Sequence, residues 1–490
     1  MKILLVSPEI PNTFWSLKTA LKFTSKKAAQ PPLGLLTVAA MLPKEWQLKL
    51  VDMSVTSLRD KDILWADYVF LSAMYIQRAS VEHVIDRCIK LGAKTVAGGP
   101  LFTATPEEFE HVDHLVLNEA EITLAPFLHD LQNGVPKHLY TSTEWAHMQE
   151  TPIPRWDLVD MKKYFLMGVQ YSRGCPFNCD FCNVTSLFGR RMRTKSKDQM
   201  IAELDNLYAA GWRGMVFVVD DNFIGNKKRL KDDILPAMIA WMKQKNRPFR
   251  FNTQVSINLA DDDELLATMA EAGFDCVFVG IETADEDSLT ECNKLQNKGR
   301  DVVACVKKLQ SYGMEVQAGF ILGFDSDRDS VFNSLIRLIQ ESGIVTAMVG
   351  LLNAPRGTEL YQRLVDQGRL LEYGSGDNTD FSINFTPRMN WDDLLKGYQK
   401  VVRTIYSPEQ YYQRILTFLK NYVPADHGKV RLSRSDLQAF IKSIWLIGIA
   451  HPGRRYYWKL IARSVRSPQH FHLLITFAIY GFHFRSVFGI

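Results

Sequence analysis

Three cysteines stand together near the middle of the chain, in the run Cys175-Pro-Phe-Asn-Cys179-Asp-Phe-Cys182. With three and then two residues between them, the thiolates can fold around one face of an iron–sulfur cube. A [4Fe–4S] cluster takes four ligands, usually four cysteines, so three leave one iron open to a small molecule. A structural zinc site closes with four Cys or His ligands. No histidine lies within ten residues of the trio to complete such a set. The chemistry expected of these residues is that of a cluster with one free coordination position. The remaining cysteines are Cys88, Cys276, Cys292 and Cys305. Cys88, Cys276 and Cys305 fall in helix-like or strand-like apolar runs and read as small buried hydrophobes. Cys292 lies in a polar stretch and takes no assigned role. Seven cysteines in 490 residues are too sparse for a disulfide scaffold.

The elements that must hold the trio follow from the hydrophobic pattern. Residues 1–135 alternate strands and helices, with strand-like runs at Lys2–Val6, Leu48–Asp52, Tyr68–Ser72, Thr95–Ala97 and His114–Leu117. A helical stretch over Val81–Leu91 puts Val81, Val84, Ile85, Cys88 and Ile89 on one face. Strands separated by helices imply a parallel doubly wound sheet. Ligands sit at the carboxyl ends of such strands. Those ends carry Pro8-Glu9, Asp52, Ser72-Ala73-Met74, Gly98-Gly99-Pro100 and Asn118-Glu119. Residues 136–165, with Pro136, Pro152 and Pro154, read as a linker.

Alternation resumes over 166–365. Strand-like runs centre near Val169, Phe217, Phe251, Phe278, Phe320 and Val349. Ser196 to Gln199 is a capping-box signature for a helix with Ile201, Leu204 and Tyr208 on its apolar face. Asp261 to Glu264 plays the same part for the helix carrying Leu265, Leu266 and Met269. Six strand–helix units predict a partial barrel with its site at the carboxyl ends of the strands, where the cysteine run begins. Residues 366–490 lose the alternation and read as mostly helical. The expected fold class is α/β. It comprises an N-terminal Rossmann-like doubly wound parallel sheet, a central partial (βα)6 TIM-like barrel and a mainly helical C-terminal domain.

The CxxxCxxC spacing, with the aromatic Phe181 directly before the last cysteine, resembles that of the radical S-adenosylmethionine (radical SAM) superfamily. The resemblance implies that Cys175, Cys179 and Cys182 hold a [4Fe–4S] cluster whose open iron is chelated by the amino and carboxyl groups of SAM. One electron then cleaves SAM to methionine and a 5′-deoxyadenosyl radical, which takes a hydrogen atom from the substrate. An electron donor such as flavodoxin or ferredoxin is implied. Positions on successive strands resemble the superfamily's SAM contacts. Asp220, Asp221 and Asn222 stand in place of the usual Gly-Gly-Glu, and Gln254 and Ser256 follow the third strand. Glu282 follows the fourth strand, and Gly319, Ile321 and Gly323 belong to the fifth. The loop Asn353 to Thr358 follows the sixth.

The first domain adds a second cofactor. Pro31-Pro32-Leu33-Gly34, Gly98-Gly99-Pro100 and Asn118-Glu119-Ala120-Glu121 make it similar to a cobalamin-binding domain. The contacts this implies are Ser72, Gly98, Gly99 and Glu119. One feature departs from the family. Its Asp-x-His-x-x-Gly motif would supply a histidine to cobalt, and here Asp52-Met53-Ser54-Val55-Thr56 holds the place without one. Either cobalamin binds without a protein imidazole or it does not bind, and the expectation is the first. The C-terminal region resembles the extension of a branch that includes hopanoid C-2 methylase-like proteins. The segment Asn12 to Lys18 departs from what that methylase suggests, so no hopanoid substrate is assigned.

These resemblances imply a cobalamin-dependent radical SAM methyltransferase acting at an unactivated carbon of a hydrophobic substrate, a membrane lipid among the candidates. The alternative keeps the cofactors but performs cyclisation, ring contraction or oxidation, or takes a peptide. A methylthiotransferase acting on tRNA needs a second cysteine set in the first domain, where only Cys88 occurs. Net charge is +4 and argues against a nucleic-acid partner. After Asp436 there is no acidic residue, while Lys442, Arg454, Arg455, Lys459, Arg463, Arg466 and Arg485 are basic, which leaves −3 for the rest of the chain. Basic residues beside Trp445, Tyr456, Tyr457 and Trp458 suit an anionic leaflet. Two readings of 440–490 follow: peripheral membrane contact, or a helical subdomain packed on the barrel with a solvated basic face. The longest apolar stretch, Leu473–Phe482, reads as too short to span a bilayer. Met1–Val6 runs straight into a strand without a cleavage signal, so a cytoplasmic enzyme is expected.

Overall fold

Short apolar runs, buried on both faces, build two parallel sheets. The structure is a computed structural model that describes residues 1–371, 374–377, 379–424 and 434–490, with the backbone alone at Arg434 and Arg466. The first sheet contains β1 (Lys2–Ser7), β2 (Gln47–Asp52), β3 (Tyr68–Ser72), β4 (Lys94–Gly98), β5 (His114–Val116) and β6 (Leu139–Tyr140). Their order is β2-β1-β3-β4-β5-β6, and every pairing is parallel. Sequence-adjacent β1 and β2 pair with Ile3 opposite Leu48, and β1 pairs on its other side with β3, Ile3 opposite Tyr68. The helix Arg78–Lys90 turns Val81, Val84, Ile85 and Cys88 onto the sheet. Ile89, expected on the same face, is exposed, because it lies about 100° round from Cys88. The segment read as a linker is tied down: β6 lies within it, and Trp156 and Tyr164 are buried.

The second sheet contains β7 (Met167–Val169), then β10 (Met215–Val218), β11 (Arg250–Val255), β12 (Phe274–Glu282), β13 (Glu315–Leu322) and β14 (Ala347–Leu351). Its order is β14-β13-β12-β11-β10-β7, so the first and last strands are edges and the barrel stays open between them. Between β7 and β10 a small antiparallel pair, β8 (Ser172–Arg173) and β9 (Arg193–Thr194), closes the neck of the loop that carries the three cysteines. The six strand centres fall where the sequence places them. The helix Lys197–Ala209 starts on the Ser196–Gln199 capping box, but it buries Met200, Glu203, Leu204 and Leu207, while Ile201 and Tyr208 sit half out. The next cap is Asp262, which accepts from the Leu265 amide at 3.1 Å. Asp261, expected there, pairs with Arg300 instead.

Helices Trp391–Tyr406, Pro408–Asn421, Arg434–Ser443, Arg454–Arg466 and Phe471–Phe488 make up most of the C-terminal region. Two of them shut the open side of the barrel. The Tyr398 hydroxyl donates to the Val349 carbonyl at 3.0 Å and the Tyr406 hydroxyl to that of Ala347 at 2.6 Å, both on edge strand β14. Phe484 stacks on Phe14 at 4.1 Å, and the His483 ring lies 3.0 Å from the Phe14 carbonyl. The N-terminal segment and the last helix therefore share one core with the barrel. The sequence expectation that no stretch could span a bilayer needs correcting. Pro468–Phe488 is long and apolar enough by length and composition, although half of that stretch is buried in the protein. Cys88 and Cys276 are buried as expected, Cys305 only partly, and unassigned Cys292 is fully buried.

Candidate active site

The cysteine loop begins where β7 ends and is drawn together at its base. Gly174 has φ +92°, and a Cβ there would meet the Arg191 carbonyl at 2.7 Å, so only glycine allows the chain to enter the loop this tightly. The Cys175 amide donates to the Gly189 carbonyl at 3.3 Å, and the Cys182 amide to that of Cys179 at 3.1 Å. Cys179 is buried, while Cys175 and Cys182 are half-buried. Burial raises all three thiols, Cys182 to about 12.

A second segment lies over the loop. After β12 the chain bends at Glu282, in the left-handed region at φ +68°, and returns through 292–297. The Asp180 amide donates to the Cys292 carbonyl at 3.1 Å, and the Asn293 side chain donates to the Asn178 carbonyl at 2.7 Å. Gln296 points its amide at the Cys179 sulfur, 3.7 Å away. Lys294 lies in the field of Cys179 and Cys182 and pairs with Glu282 at 2.7 Å. A cation therefore stands where three thiolates would gather negative charge. Sequence reasoning missed Lys294 and Gln296; the strand pattern leaves 292–297 as an unmarked polar turn.

The residues expected to contact SAM divide by burial. Val216, Val218 and Asp220 are fully buried, whereas Asp221, in the turn after the strand, is only partly so. Asp220 is fully buried; its carboxylate accepts from the Tyr171 amide at 2.8 Å and from the Ser172 hydroxyl. It ties the second strand to the start of the cysteine loop. Burial raises it to about 7 against those hydrogen bonds. Asp221 has no side-chain partner among the described residues, lies in the field of Cys175, and is raised by burial to about 6. Asn222 accepts from the Ser256 amide at 3.3 Å, and Ser256 donates to Asn258 at 2.6 Å. Gln254 sits on the inner strand face. Glu282 is committed to Lys294. Gly319 makes room for the Phe278 ring, 3.0 Å from where its Cβ would be. Ile321 packs into an apolar cluster with Phe181, Cys292 and Phe324. The Gly323 amide donates to Asp327 at 2.8 Å.

The barrel interior also holds Trp15, which sequence reasoning passed over as part of a divergent segment. Its indole nitrogen lies 2.9 Å from the Met348 sulfur, and its ring meets Phe278 edge-on at 5.3 Å. Phe14, buried beneath Phe484, anchors it, yet Trp15 remains 41% exposed.

The two sheets face one another by their carboxyl ends. Arg173 and Arg193, at the neck of the cysteine loop, reach Glu119 and Glu121 beyond β5. Arg173 contacts Glu119 at 2.7 Å and Glu121 at 2.8 Å, and Arg193 contacts Glu119 at 2.7 Å. Glu119 Oε2 also accepts from the Ala146 amide at 2.8 Å. Both Glu119 oxygens are thus occupied by protein groups. Arg356, after β14, pairs with Glu107 of the first sheet's domain.

Comparison with known proteins agrees with this layout. The radical SAM superfamily model matches residues 169–339 and the B12 binding domain model matches 24–128. A domain of unknown function matches 358–490. An uncharacterized methyltransferase of Synechocystis sp. is 38% identical, over 99% of this chain and 91% of its own length. The hopanoid C-2 methylase of Rhodopseudomonas palustris is 32% identical, over 95% of this chain and 89% of its own. The chain belongs to the cobalamin-dependent radical SAM methyltransferases. The fold is also that of the cobalamin-dependent SAM radical enzyme OxsB (TM-score 0.65, 14% identity, covering 98% of this chain and 79% of that one). The methyltransferase TsrM from Kitasatospora setae gives 0.61 at 14% identity, covering 96% and 99%.

As a radical SAM methyltransferase the protein uses a [4Fe–4S] cluster, SAM and cobalamin. The residues present fit each group. The three thiols on the drawn-in loop, with Lys294 beside them, suit a cluster. Unpaired Asp221 beside the loop suits the SAM ammonium. For cobalamin, a Cβ at Gly98 would lie 2.5 Å from the Val116 carbonyl, and one at Gly99, φ +93°, would lie 2.6 Å from the Ser72 hydroxyl. The pair keeps bare backbone beside Ser72 at adjoining strand ends. At the end of β2, where the family histidine would stand, Asp52 accepts from Ser54 and from the Tyr164 hydroxyl at 3.0 Å. That place is filled by a structural contact and offers no imidazole.

Proposed function

We propose that this methyltransferase adds a methyl group to an unactivated carbon of a hydrophobic, lipid-like substrate. The observation that carries the substrate class is the apolar wall of Trp15, Phe278 and Met348 inside the barrel. A bulky, half-exposed indole set against Phe278 and Met348 favours a ligand that offers hydrocarbon to the ring. Likeness to a hopanoid C-2 methylase over nearly the whole chain supports the same class.

When bound, the cluster and SAM supply a hydrogen-abstracting radical, and cobalamin carries the methyl group. In our reading Cys175, Cys179 and Cys182 hold the cluster and Lys294 offsets the thiolate charge. Asp221, with Asn222, Ser256, Gln254 and the backbone at Gly319, Ile321 and Gly323, holds SAM. Asp220 positions the loop from behind, and Glu282 orients Lys294. Ser72, Gly98 and Gly99 receive cobalamin. The one-electron donor is a small protein such as flavodoxin or ferredoxin.

The test is anaerobic turnover of reconstituted, cobalamin-loaded protein with methyl-deuterated SAM, a reductant and a membrane lipid extract. We expect 5′-deoxyadenosine and S-adenosylhomocysteine together, and a lipid carrying the deuterated methyl. 5′-Deoxyadenosine with neither S-adenosylhomocysteine nor a labelled product would overturn the reading in favour of non-methylating chemistry. Labelling of a peptide but no lipid would overturn the substrate class.

A further inference from the structure

The helix Arg434–Ser443 continues through the wide turn Ile444–Ile449. It carries Leu437, Ile441, Trp445 and Ile449, each four residues after the last. They are 59%, 59%, 66% and 49% exposed. Residues at this spacing share one face of a helix, so four large apolar side chains form a single outward stripe. The opposite face is fastened: Ala439, Ser443 and Ile447 are buried, and the Ser443 hydroxyl lies 2.8 Å from that of Tyr457. Packing therefore fixes the stripe facing out. The Trp458 indole donates to the Gly448 carbonyl at 2.9 Å, which sets a second half-exposed tryptophan beside the far end of the stripe.

On this helix and the next the charges are basic except Asp436, which lies 3.6 Å from the His472 ring. From the following helix Arg454 reaches the Ile449 carbonyl at 3.4 Å, at the end of the stripe, and Arg455 and Lys459 lie against the Tyr456 ring; among the described residues none of these, nor Arg463, pairs with a carboxylate. The Arg466 side chain lies outside the described residues. No acidic residue follows Asp436. We infer that this face docks on an anionic lipid leaflet, with the stripe in the interfacial layer and the arginines and lysine on the headgroups. Tryptophan among aliphatic side chains, bordered by unpaired cations, matches the chemistry of that layer. The last helix is not the contact, although its composition would let it cross a bilayer. Phe477 and Phe484 are fully buried, and His483 and Arg485 are turned to interior carbonyls. The docking is thus peripheral, and its surface does not depend on which molecule is methylated.

The test is flotation of the full-length, cofactor-loaded protein with vesicles of phosphatidylcholine, with or without phosphatidylglycerol. The protein should float with the anionic vesicles only, and less as salt rises. I441S/W445S should lower partition at least roughly tenfold. K459Q and R463Q should each lower it roughly fivefold. Release of 5′-deoxyadenosine from SAM by I441S/W445S should match wild type, so loss of binding and loss of the enzyme can be told apart. In the wild type, brominated phosphatidylglycerol should quench tryptophan emission, and less so in W445F, a readout independent of the double variant's folding. Wild type that stays unbound, a double variant that floats like wild type, or a wild-type dimer that I441S/W445S turns into a monomer would each overturn the inference. The last result would give the stripe to a second copy of the chain.

Discussion

Removing the Glu119 carboxylate should loosen the joint between the two sheets more than any surface charge does. Its side chain is 2% exposed, and those of Arg173 and Arg193 are 11% and 14% exposed. Arg173 keeps both bonds to Glu121 in a Glu119→Ala variant. Arg193 loses its only carboxylate and retains the carbonyls of Ala146 and Phe188. Breaking one partner of a buried pair costs about 3–5 kcal/mol, and Ala146 loses a buried acceptor worth about 1–3 kcal/mol. The two surviving carbonyls and Glu121 offset part of this, so the expected loss is about 3 kcal/mol. Lys243→Ala, which breaks an exposed pair with Glu271, should cost under about 1 kcal/mol. Urea unfolding of anaerobic holoprotein, followed by far-ultraviolet circular dichroism and by cluster absorption, gives both values on one scale. The cluster signal should be lost at lower urea in Glu119→Ala, because Arg173 and Arg193 form the neck of its loop. Adding Arg193→Ala to Glu119→Ala should cost less than Arg193→Ala alone. A midpoint for Glu119→Ala no lower than that of Lys243→Ala would refute the argument.

Three further outcomes are expected. The folded value of Asp220 is raised to about 7 from 3.8, so the group favours the folded state at low pH, and that advantage is lost as pH rises between these values. Asp220→Asn should therefore show a flatter urea midpoint against pH across this window, and parallel curves for the two proteins would count against the burial. Gly99→Ala, with a Cβ 2.6 Å from the Ser72 hydroxyl at φ +93°, should abolish cobalamin retention on gel filtration while iron content stays at the wild-type level. Trp15→Ala should raise KM for the hydrophobic substrate roughly tenfold or more, in line with burial of a large ring. SAM cleavage without substrate should not change, and an unaltered KM would remove Trp15 from the substrate wall.

The sequence reading located the strand centres because buried parallel strands are near-continuous apolar runs, as in Lys2–Ser7. It located the cluster loop because three cysteines at that spacing have few other uses. It gives Asp220 and Asp221 one role, and only the fold separates them: Asp220 is fully buried against Tyr171 and Ser172, and Asp221 lies beside the cysteine loop. The surroundings of Glu119 are hidden from sequence for another reason. Its partners Arg173 and Arg193 lie 54 and 74 residues away, and no local pattern encodes a pair at that distance.

The tail shows the limit most clearly. A helix apolar all round reads the same whether protein or lipid surrounds it. Phe471–Phe488 is such a helix, and what settles its place is Phe14, at the other end of the chain, stacked on Phe484. The converse error applies to Leu437, Ile441, Trp445 and Ile449, whose spacing is that of a core-facing stripe. In the fold, the core side of that helix is already taken by Ala439, Ser443 and Ile447, with Ser443 and Gly448 against Tyr457. With two apolar faces and one core, only one face can be inside. The wide turn over 444–449 keeps the bulky face turned outward as far as Ile449. Arg454 and Trp458 of the following helix then meet the end of this apolar surface at Ile449 and Gly448, a juxtaposition that depends on two helices and that neither sequence segment contains alone.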